Sequence, residues 1–363
     1  CFISLLVGQP PEFSMEFIGY VDNICCNNYK HLSSADLDQD GDIDIITGVS
    51  NSLLAFTNDG SGSFNEITLA SNTGNIYAVQ PIDIDTDGDM DFITTGSSTL
   101  LFENNGSESF TTITVGDDAE DLYAIDIDSD GDIDILTAGE GEDNLLKLHT
   151  NNGENNFSTS TLVTSADQAR IRGVHANDLD QDGDIDIVFV QSHDDHGVYW
   201  LENRLPQEFA FHTVYYTGIN SGCNGVYSVD IDLDNDLDII TVFTDGDKIM
   251  CYENIGSQTF TPFEIANFPN GYEPENAYPA DIDQDGDIDI IATIYQENLL
   301  NWYENVGSQT FLEHNIVGAF YGPLGISIND LDSDGDMDII SSETIGNDAI
   351  FWFRSDQIVT NDG

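Results

Sequence analysis

Positive charge is what this chain lacks most. Its 363 residues hold 7 Lys and Arg against 68 Asp and Glu, a formal net charge of −61 with a pI of about 4.1. Such a surface repels nucleic acid and anionic membranes, and it attracts no polyanionic substrate without a bridging cation. It does attract divalent cations, and it suits a salty medium in which charge is screened over ~8 Å or less. Long apolar runs are also missing. The stretch CFISLLVGQ at residues 1–9 is too short to span a bilayer, so no membrane insertion is expected. No segment of useful length has helical periodicity. Cysteine is sparse and odd in number: Cys1, Cys25, Cys26, Cys223 and Cys251, at spacings that fit no zinc motif. The adjacent pair Cys25 and Cys26 could form a vicinal disulfide; incidental thiols are the plainer reading. Against these absences stand 40% hydrophobic and 10% aromatic residues, enough for a packed core rather than a disordered acidic tail.

Residues 1–9 read as the remnant of a secretory signal peptide, residues 10–356 as a single domain and 357–363 as a C-terminal tail. A lipid-modified Cys1 is an alternative reading of the start. The protein is expected to be secreted and extracellular, or held at the cell surface.

One pattern, D-x-D-x-D-[GN]-D-x-D, recurs seven times. The copies begin at Asp36, Asp83, Asp126, Asp178, Asp230, Asp281 and Asp330, spaced by 47, 43, 52, 52, 51 and 49 residues. That period is near the ~40–50 residues of a four-stranded propeller blade. Within each unit an apolar stretch such as IYAVQPI leads into the loop, and a β-rich stretch such as DIDIITG leaves it. A third segment ends in a shared signature (LFENNGSESF, CYENIGSQTF, WYENVGSQTF), and a fourth starts at its Phe. Alternation and Val, Ile, Thr and Phe content argue for strands, and N-x-G marks the turn between the third and fourth. The segment PPEFSMEFIGY at 10–20 resembles a fourth strand with no first three, and the last unit ends after its third. The expected fold is therefore all-β: a seven-bladed β-propeller of four-stranded blades, closed by an N-terminal strand that completes the last blade.

The loops carry the chemistry. Calcium takes six to eight oxygen ligands at ~2.3–2.6 Å. Asp at loop positions one, three and five aims short carboxylates inward from a tight turn; Gly at six permits the bend; seven offers its backbone carbonyl; Asp at nine closes the shell. The first loop supplies Asp36, Asp38, Asp40, Asp42 and Asp44, the second Asp83, Asp85, Asp87, Asp89 and Asp91. The third supplies Asp126, Asp128, Asp130, Asp132 and Asp134, the fourth Asp178, Asp180, Asp182, Asp184 and Asp186. The fifth supplies Asp230, Asp232, Asp234, Asp236 and Asp238, with Asn235 where the others have Gly. The sixth supplies Asp281, Asp283, Asp285, Asp287 and Asp289, and the seventh Asp330, Asp332, Asp334, Asp336 and Asp338. The side chain at position seven is expected to face solvent, and the apolar residue at eight to anchor in the core. An EF-hand would place Glu at position twelve between helices; here position twelve is Thr47 or Thr241, within expected strands. About seven Ca2+ ions, one per blade, would take −61 to −47.

These residues resemble a known family. DLDQDGDIDIITG and DIDQDGDIDIIATIYQENLLNWYENVGSQTF are similar to the VCBS / FG-GAP-type repeats of secreted bacterial proteins, over residues 12–354. The acidic loop resembles that of integrin α-subunit propellers, where calcium sits between the first and second strands. The resemblance implies seven blades and structural calcium. Secreted relatives often carry a C-terminal sorting domain, so the resemblance implies a chain that is either truncated or one module of a larger protein.

A propeller does not name its activity. Three residues before each first Asp stand Ser33, Gln80, Tyr123, His175, Tyr227, Tyr278 and Ser327; six before stand Lys30, Tyr77 and Arg172 in three units. Of these, Tyr77, Tyr123, Arg172, His175, Tyr227 and Tyr278 are the candidate ligand-binding residues, because Tyr, His and Arg stack on and hydrogen-bond to sugars. The competing reading is that they only fill the channel. His193 and His196 in QSHDDHG form a weak transition-metal candidate against a solvated turn. The expected function is a binding or adhesion module for a glycan or an extracellular protein, not an enzyme. The runner-up is a polysaccharide lyase or other glycan-degrading enzyme, with Arg172, His175 and Tyr123 forced into its roles. Self-assembly into a surface filament is a third possibility, and the oligomeric state is left open.

Overall fold

The computed structural model describes residues 11–21, 24, 30–106, 109–139, 145–153, 155–164, 170–192, 197–204, 208–216, 222–256, 258–318, 321–345 and 348–356. Residues 1–9, the tail 357–363, Cys1, Cys25, Cys26, His193 and His196, on which several expectations fall, lie outside them. Regular structure among the described residues is all strand, and no helix is long and apolar enough to cross a membrane.

The fifth repeat shows how the pattern folds. Its strands, Cys223–Val229, Asp238–Phe243, Lys248–Asn254 and Phe260–Asn267, form one antiparallel sheet in chain order. The second strand, DIITVF, is buried at every position. A neighbouring sheet covers each of its faces, so it reads as a continuous apolar run rather than an alternating one. The fourth strand, FTPFEIAN, exposes several side chains at the rim. The innermost strand alternates between the core and a half-buried face that lines the axis.

Seven apolar clusters fill the spaces between consecutive repeats. One of them packs Leu331, Ile340 and Trp352 of the last repeat against Ile45, Leu54 and Phe56 of the first. Burying one such side chain contributes about 1.5–3 kcal/mol, so stability resides in the faces between repeats as much as within any sheet. The N-terminal strand Glu12–Tyr20 pairs antiparallel with Ala349–Asp356, in register Phe13 to Ser355 and Phe17 to Phe351. It supplies the outer strand that the last repeat lacks, as its sequence suggested. Where the first two repeats meet, Lys30 and Ala78 form a parallel bridge. Inner strands that run in one direction deliver their acidic loops to the same face of the disc. The connections before the inner strands lie on the other face.

The sheet count corrects the expectation of seven separate four-stranded blades. Six hydrogen-bonded sheets form among the described residues: five of four strands and one of six. The six-stranded sheet holds the first two repeats. Phe64–Ile82 runs unbroken from the outer edge of the first repeat into the inner strand of the second. Asp44–Asn58 pairs with Leu32–Ala35 at its start and with Phe64–Ile82 at its end. The physical reason lies in the connection SNTGN at 71–75. It stays in the ladder because Ser52 pairs with Ser71 and Ser50 with Asn75, with the left-handed residues Asn72 and Gly74 taken up as a bulge between those pairs, so no unpaired loop separates the two units.

Candidate acidic-loop metal sites and channel

Each loop is built around its ninth residue. Asp44, Asp91, Asp134, Asp186, Asp238, Asp289 and Asp338 are buried where strand two begins. One carboxylate oxygen of each accepts the backbone N–H of loop position two, from Leu37 at 2.9 Å to Ile282 at 3.3 Å. The other accepts the N–H of a residue at or within one position of the end of strand three, at 2.7 Å for six of the loops and 2.8 Å for Ser355. Burial pushes these carboxyls up to about 6 at Asp44, Asp91 and Asp134 and about 7 at Asp186, Asp238, Asp289 and Asp338, against the pull of the N–H groups.

The first, third and fifth aspartates converge on the loop interior. The first accepts the N–H of position six, as in Gly41 to Asp36 at 3.1 Å, and Asn235 makes the same bond to Asp230 at 2.9 Å. The Gly-to-Asn change in the fifth loop therefore leaves the turn intact. Position six has φ near +97° at Gly41 and +76° at Asn235. Position four is also left-handed in every loop, from +57° at Ser333 to +61° at Leu233. That is a strained choice for Thr86 and Leu233, which the sequence did not announce.

The groups Asp36–Asp38–Asp40, Asp83–Asp85–Asp91, Asp126–Asp128–Asp134, Asp178–Asp180–Asp186 and Asp230–Asp232–Asp234 each bring one oxygen per residue within 4.8 Å of the others, so they could hold a metal ion. The fit to a hard cation rests on orphaned oxygens. Oδ1 of Asp36, Asp178, Asp180 and Asp281 is buried and accepts no hydrogen bond. A buried carboxylate oxygen in that state is costly unless a cation meets it, and an all-oxygen set suits calcium. Burial and neighbouring carboxylates hold Asp283 up at about 6.

Position seven behaves differently and takes no part in those five groups. In loops one, two, three and five its carboxylate lies beside the N-x-G turn: a Cβ on Gly60 would meet the Asp42 carboxylate, and one on Gly106 would meet Asp89 Oδ2 at 2.7 Å. Three loops also reach the next loop through a position-four glutamine. Gln39 donates to the Gly88 carbonyl at 2.5 Å and to Asp89 Oδ1 at 2.9 Å. Gln181 binds the Asn235 carbonyl and Asp236, and Gln284 the Gly335 carbonyl.

The asparagine of the N-x-G signature proves to be more than a turn residue. Its Oδ1 accepts the turn glycine N–H, as in Gly60 to Asn58 at 3.2 Å. In the first, fifth and sixth repeats its Nδ2 crosses to the preceding repeat and donates to the position-two carbonyl there, Asn58 to Leu331, Asn254 to Leu179 and Asn305 to Ile231, and Asn203 at the equivalent position of the fourth repeat does the same to Ile127. Its recurrence was visible in the sequence, but its partner was not.

The candidate ligand residues line the axis on the inner strands. Tyr123 and His175 have ring centroids 4.4 Å apart, His175 and Tyr227 6.0 Å, and Tyr227 and Tyr278 5.4 Å. All four are half-buried. Lys30 reaches across the axis to Asp121 Oδ2 at 2.8 Å and lies 5.7 Å from the Tyr227 ring centre. Burial, reinforced by Lys30, pushes His175 down to about 3, and its Nδ1 lies 2.9 Å from Ser228 Oγ. Tyr77 is half-buried on the inner strand of the second repeat. Arg172 stands apart from the rings, with its guanidinium 3.6 Å from Glu120. It borders a cavity of about 260 Å3 with Ser192, Asn224, Thr244, Asp245 and Glu275. Burial pushes the Glu275 carboxyl up to about 8, and Asn224 donates to it at 2.8 Å. Beside the acidic loops, grooves of about 400 and 380 Å3 open between repeats one and two and between repeats four and five. Cys223 and Cys251 are both buried.

Several solved structures share the fold. An Agrocybe aegerita lectin, described as recognising non-reducing terminal N-acetylglucosamine, is 18% identical with a TM-score of 0.58, over 79% of this chain and 80% of its own. Virginiamycin B lyase from Staphylococcus aureus is 15% identical with a TM-score of 0.61, over 94% and 99%. BBS1N, solved in complex with ARL6DN, is 9% identical with a TM-score of 0.63, over 96% and 98%. No protein of curated function matches the chain in sequence. The FG-GAP-like repeat matches at residues 36–94, 126–189, 178–241, 241–292 and 282–341, more than half of the chain and each time across an acidic loop. With its recurring loops and its ring of antiparallel sheets, this chain belongs to the FG-GAP-like repeat proteins.

Proposed function

We propose that this protein is a calcium-stabilised extracellular β-propeller that serves as a binding module for a glycan or a protein partner. The observation that carries the calcium reading is the set of buried carboxylate oxygens with no hydrogen-bond partner at Asp36, Asp178, Asp180 and Asp281. Positions one, three, five and nine would hold the ion, with the backbone carbonyl of position seven. Calcium would supply the positive charge that lets these carboxylates stay ionised together. Sites of this kind load at the ~10⁻⁴–10⁻³ M calcium of extracellular media, which suits a secreted or surface-held protein.

The proposal includes seven blades, with the six-stranded sheet counted as two that share one continuous strand. Seven equivalent loops and seven apolar clusters between consecutive repeats support that reading.

Binding is favoured over catalysis by the state of the axial residues. A general base works best with a pKa near the operating pH, whereas His175 is held at about 3. Arg172 and Glu120 form an ion pair. A lectin and a lyase both share the fold, so the fold alone does not choose. The ligand is expected at the Arg172 cavity or in the grooves between repeats. A glycan array with calcium, run beside an absorbance assay for unsaturated uronate products, tests this. Retention of a glycan without product formation supports the module. Product formation that His175→Ala abolishes overturns it in favour of a lyase.

A further inference from the structure

The seven loops differ in one residue outside them. The position before the end of strand three is Glu103, Glu202, Glu253 or Glu304 in repeats two, four, five and six, and Thr57 or Thr150 in repeats one and three. In repeat seven it is Arg354. This residue lies beside its own loop. The residue after it donates its N–H to the ninth aspartate, so in four repeats a glutamate carboxylate is carried one residue from the loop's own hydrogen bonds. Arg354 brings the opposite charge. Its Nη2 lies 2.7 Å from Asp332 Oδ2 and 3.6 Å from Asp334 Oδ2, at positions three and five of the seventh loop. The guanidinium lies 5.8 Å from the centre of the buried Trp352 ring.

We propose that Arg354 is a tethered cation that competes with calcium for the seventh loop, so that the residue before the end of strand three sets each loop's affinity. The inference rests on the calcium reading above. A unit positive charge already 2.7 Å from one ligand carboxylate and 3.6 Å from a second must be displaced or endured before a divalent ion enters. Coulomb repulsion at such distances is large even where the effective dielectric constant is about 20. Glu at the same place adds negative charge and favours the ion. In repeat four Arg204 makes a bidentate contact to Glu202, and in repeat six His314 Nε2 contacts Glu304 at 2.6 Å. The second and fifth loops should therefore be the tightest. The seventh, where the last repeat meets the first, should be the last to fill and the first to empty.

Native mass spectrometry of the full chain across a calcium titration counts bound ions directly. The expected result is six ions bound before the seventh, which needs at least ten-fold more free calcium. Arg354→Gln should bring the seventh ion into the range of the others, and Arg354→Glu below it. Asp334→Asn should remove the weak phase and leave six. A thermal melt at saturating calcium shows that each variant is folded. Seven ions that fill together in the wild type, or a weak phase unchanged in Arg354→Gln, overturn this proposal alone. No uptake of calcium at any loop overturns it together with the calcium reading.

Discussion

The Asn58 side-chain amide donates to the Leu331 carbonyl at 2.7 Å, bonding the first repeat to the last inside the closed ring. The contact is buried, and the same asparagine also donates to its own Ile43 carbonyl at 3.1 Å. Asn58→Ala is expected to leave the Leu331 carbonyl unsatisfied and to cost ~1–3 kcal/mol. Asn104 donates its amide to Met90 within its own repeat, so Asn104→Ala should cost less. Urea unfolding of the two variants side by side checks this; equal midpoints would deny the closure bond a special role.

Removing calcium should destabilise the whole ring. Each site filled at 100 times its dissociation constant adds about 2.7 kcal/mol to the folded state, so chelation should lower Tm by many degrees. Asp178→Asn neutralises a carboxylate with a buried orphaned oxygen, and it should reduce the calcium-dependent part of Tm while the chelated value changes little. A melt with and without chelator measures both. An unchanged midpoint after chelation sinks the structural role of the ion.

Acid should weaken the fold through a buried histidine outside the loop sequences. His149 is buried, with Nε2 3.0 Å from Thr137 Oγ1 and Nδ1 2.9 Å from Thr159 Oγ1. Burial, and secondarily Lys147, pushes it down to about 4 from an ordinary 6.5. Between those values the unfolded chain takes up a proton that the folded chain refuses. Stability from this group is therefore complete above pH ~6.5 and lost as pH falls toward ~4, by about 3 kcal/mol in all. His149→Gln should flatten that part of the pH profile relative to the parent. Parallel profiles for the two proteins between pH 7 and 4 would contradict it.

The pair across the axis should matter more than those at the rim. Lys30 and Asp121 are 2.8 Å apart, with side chains 16% and 1% exposed, whereas Lys147 and Asp117 are 3.3 Å apart with Asp117 84% exposed. Removing one partner of a buried pair costs ~3–5 kcal/mol, against ~0–1 kcal/mol for a surface pair. Lys30→Ala should lower stability by several times as much as Lys147→Ala, and equilibrium unfolding decides between them.

Much of this was legible in the chain before folding. The aspartates at fixed offsets announced the loops because each loop is a local structure, held within itself by bonds that reach two to seven residues and anchored to the end of strand three by one that reaches 13 to 17. The orphan strand PPEFSMEFIGY and the missing fourth strand of the last unit predicted the pairing of Glu12–Tyr20 with Ala349–Asp356. Alternation and Val, Ile, Thr and Phe content marked the strands of each unit. These features depend on near neighbours or on simple complementarity between the two ends.

Only the tertiary structure decided the rest, because those features need atoms from different repeats. The fusion of the first two repeats into one sheet depends on how SNTGN meets Ser50 and Ser52 across the strands, which no period in the chain encodes. The crossing of Asn58 to Leu331, the reach of Gln39 to the Gly88 carbonyl of the second loop and the seating of Arg354 on Asp332 join residues 273, 49 and 22 positions apart in the chain. The axial rings stand at a fixed offset before each loop in the sequence, but their mutual packing and the Lys30 contact to Asp121 follow from closing the ring. The repeat specified where a cation could sit. The ring specified which neighbours each site has, and it is those neighbours that set its charge.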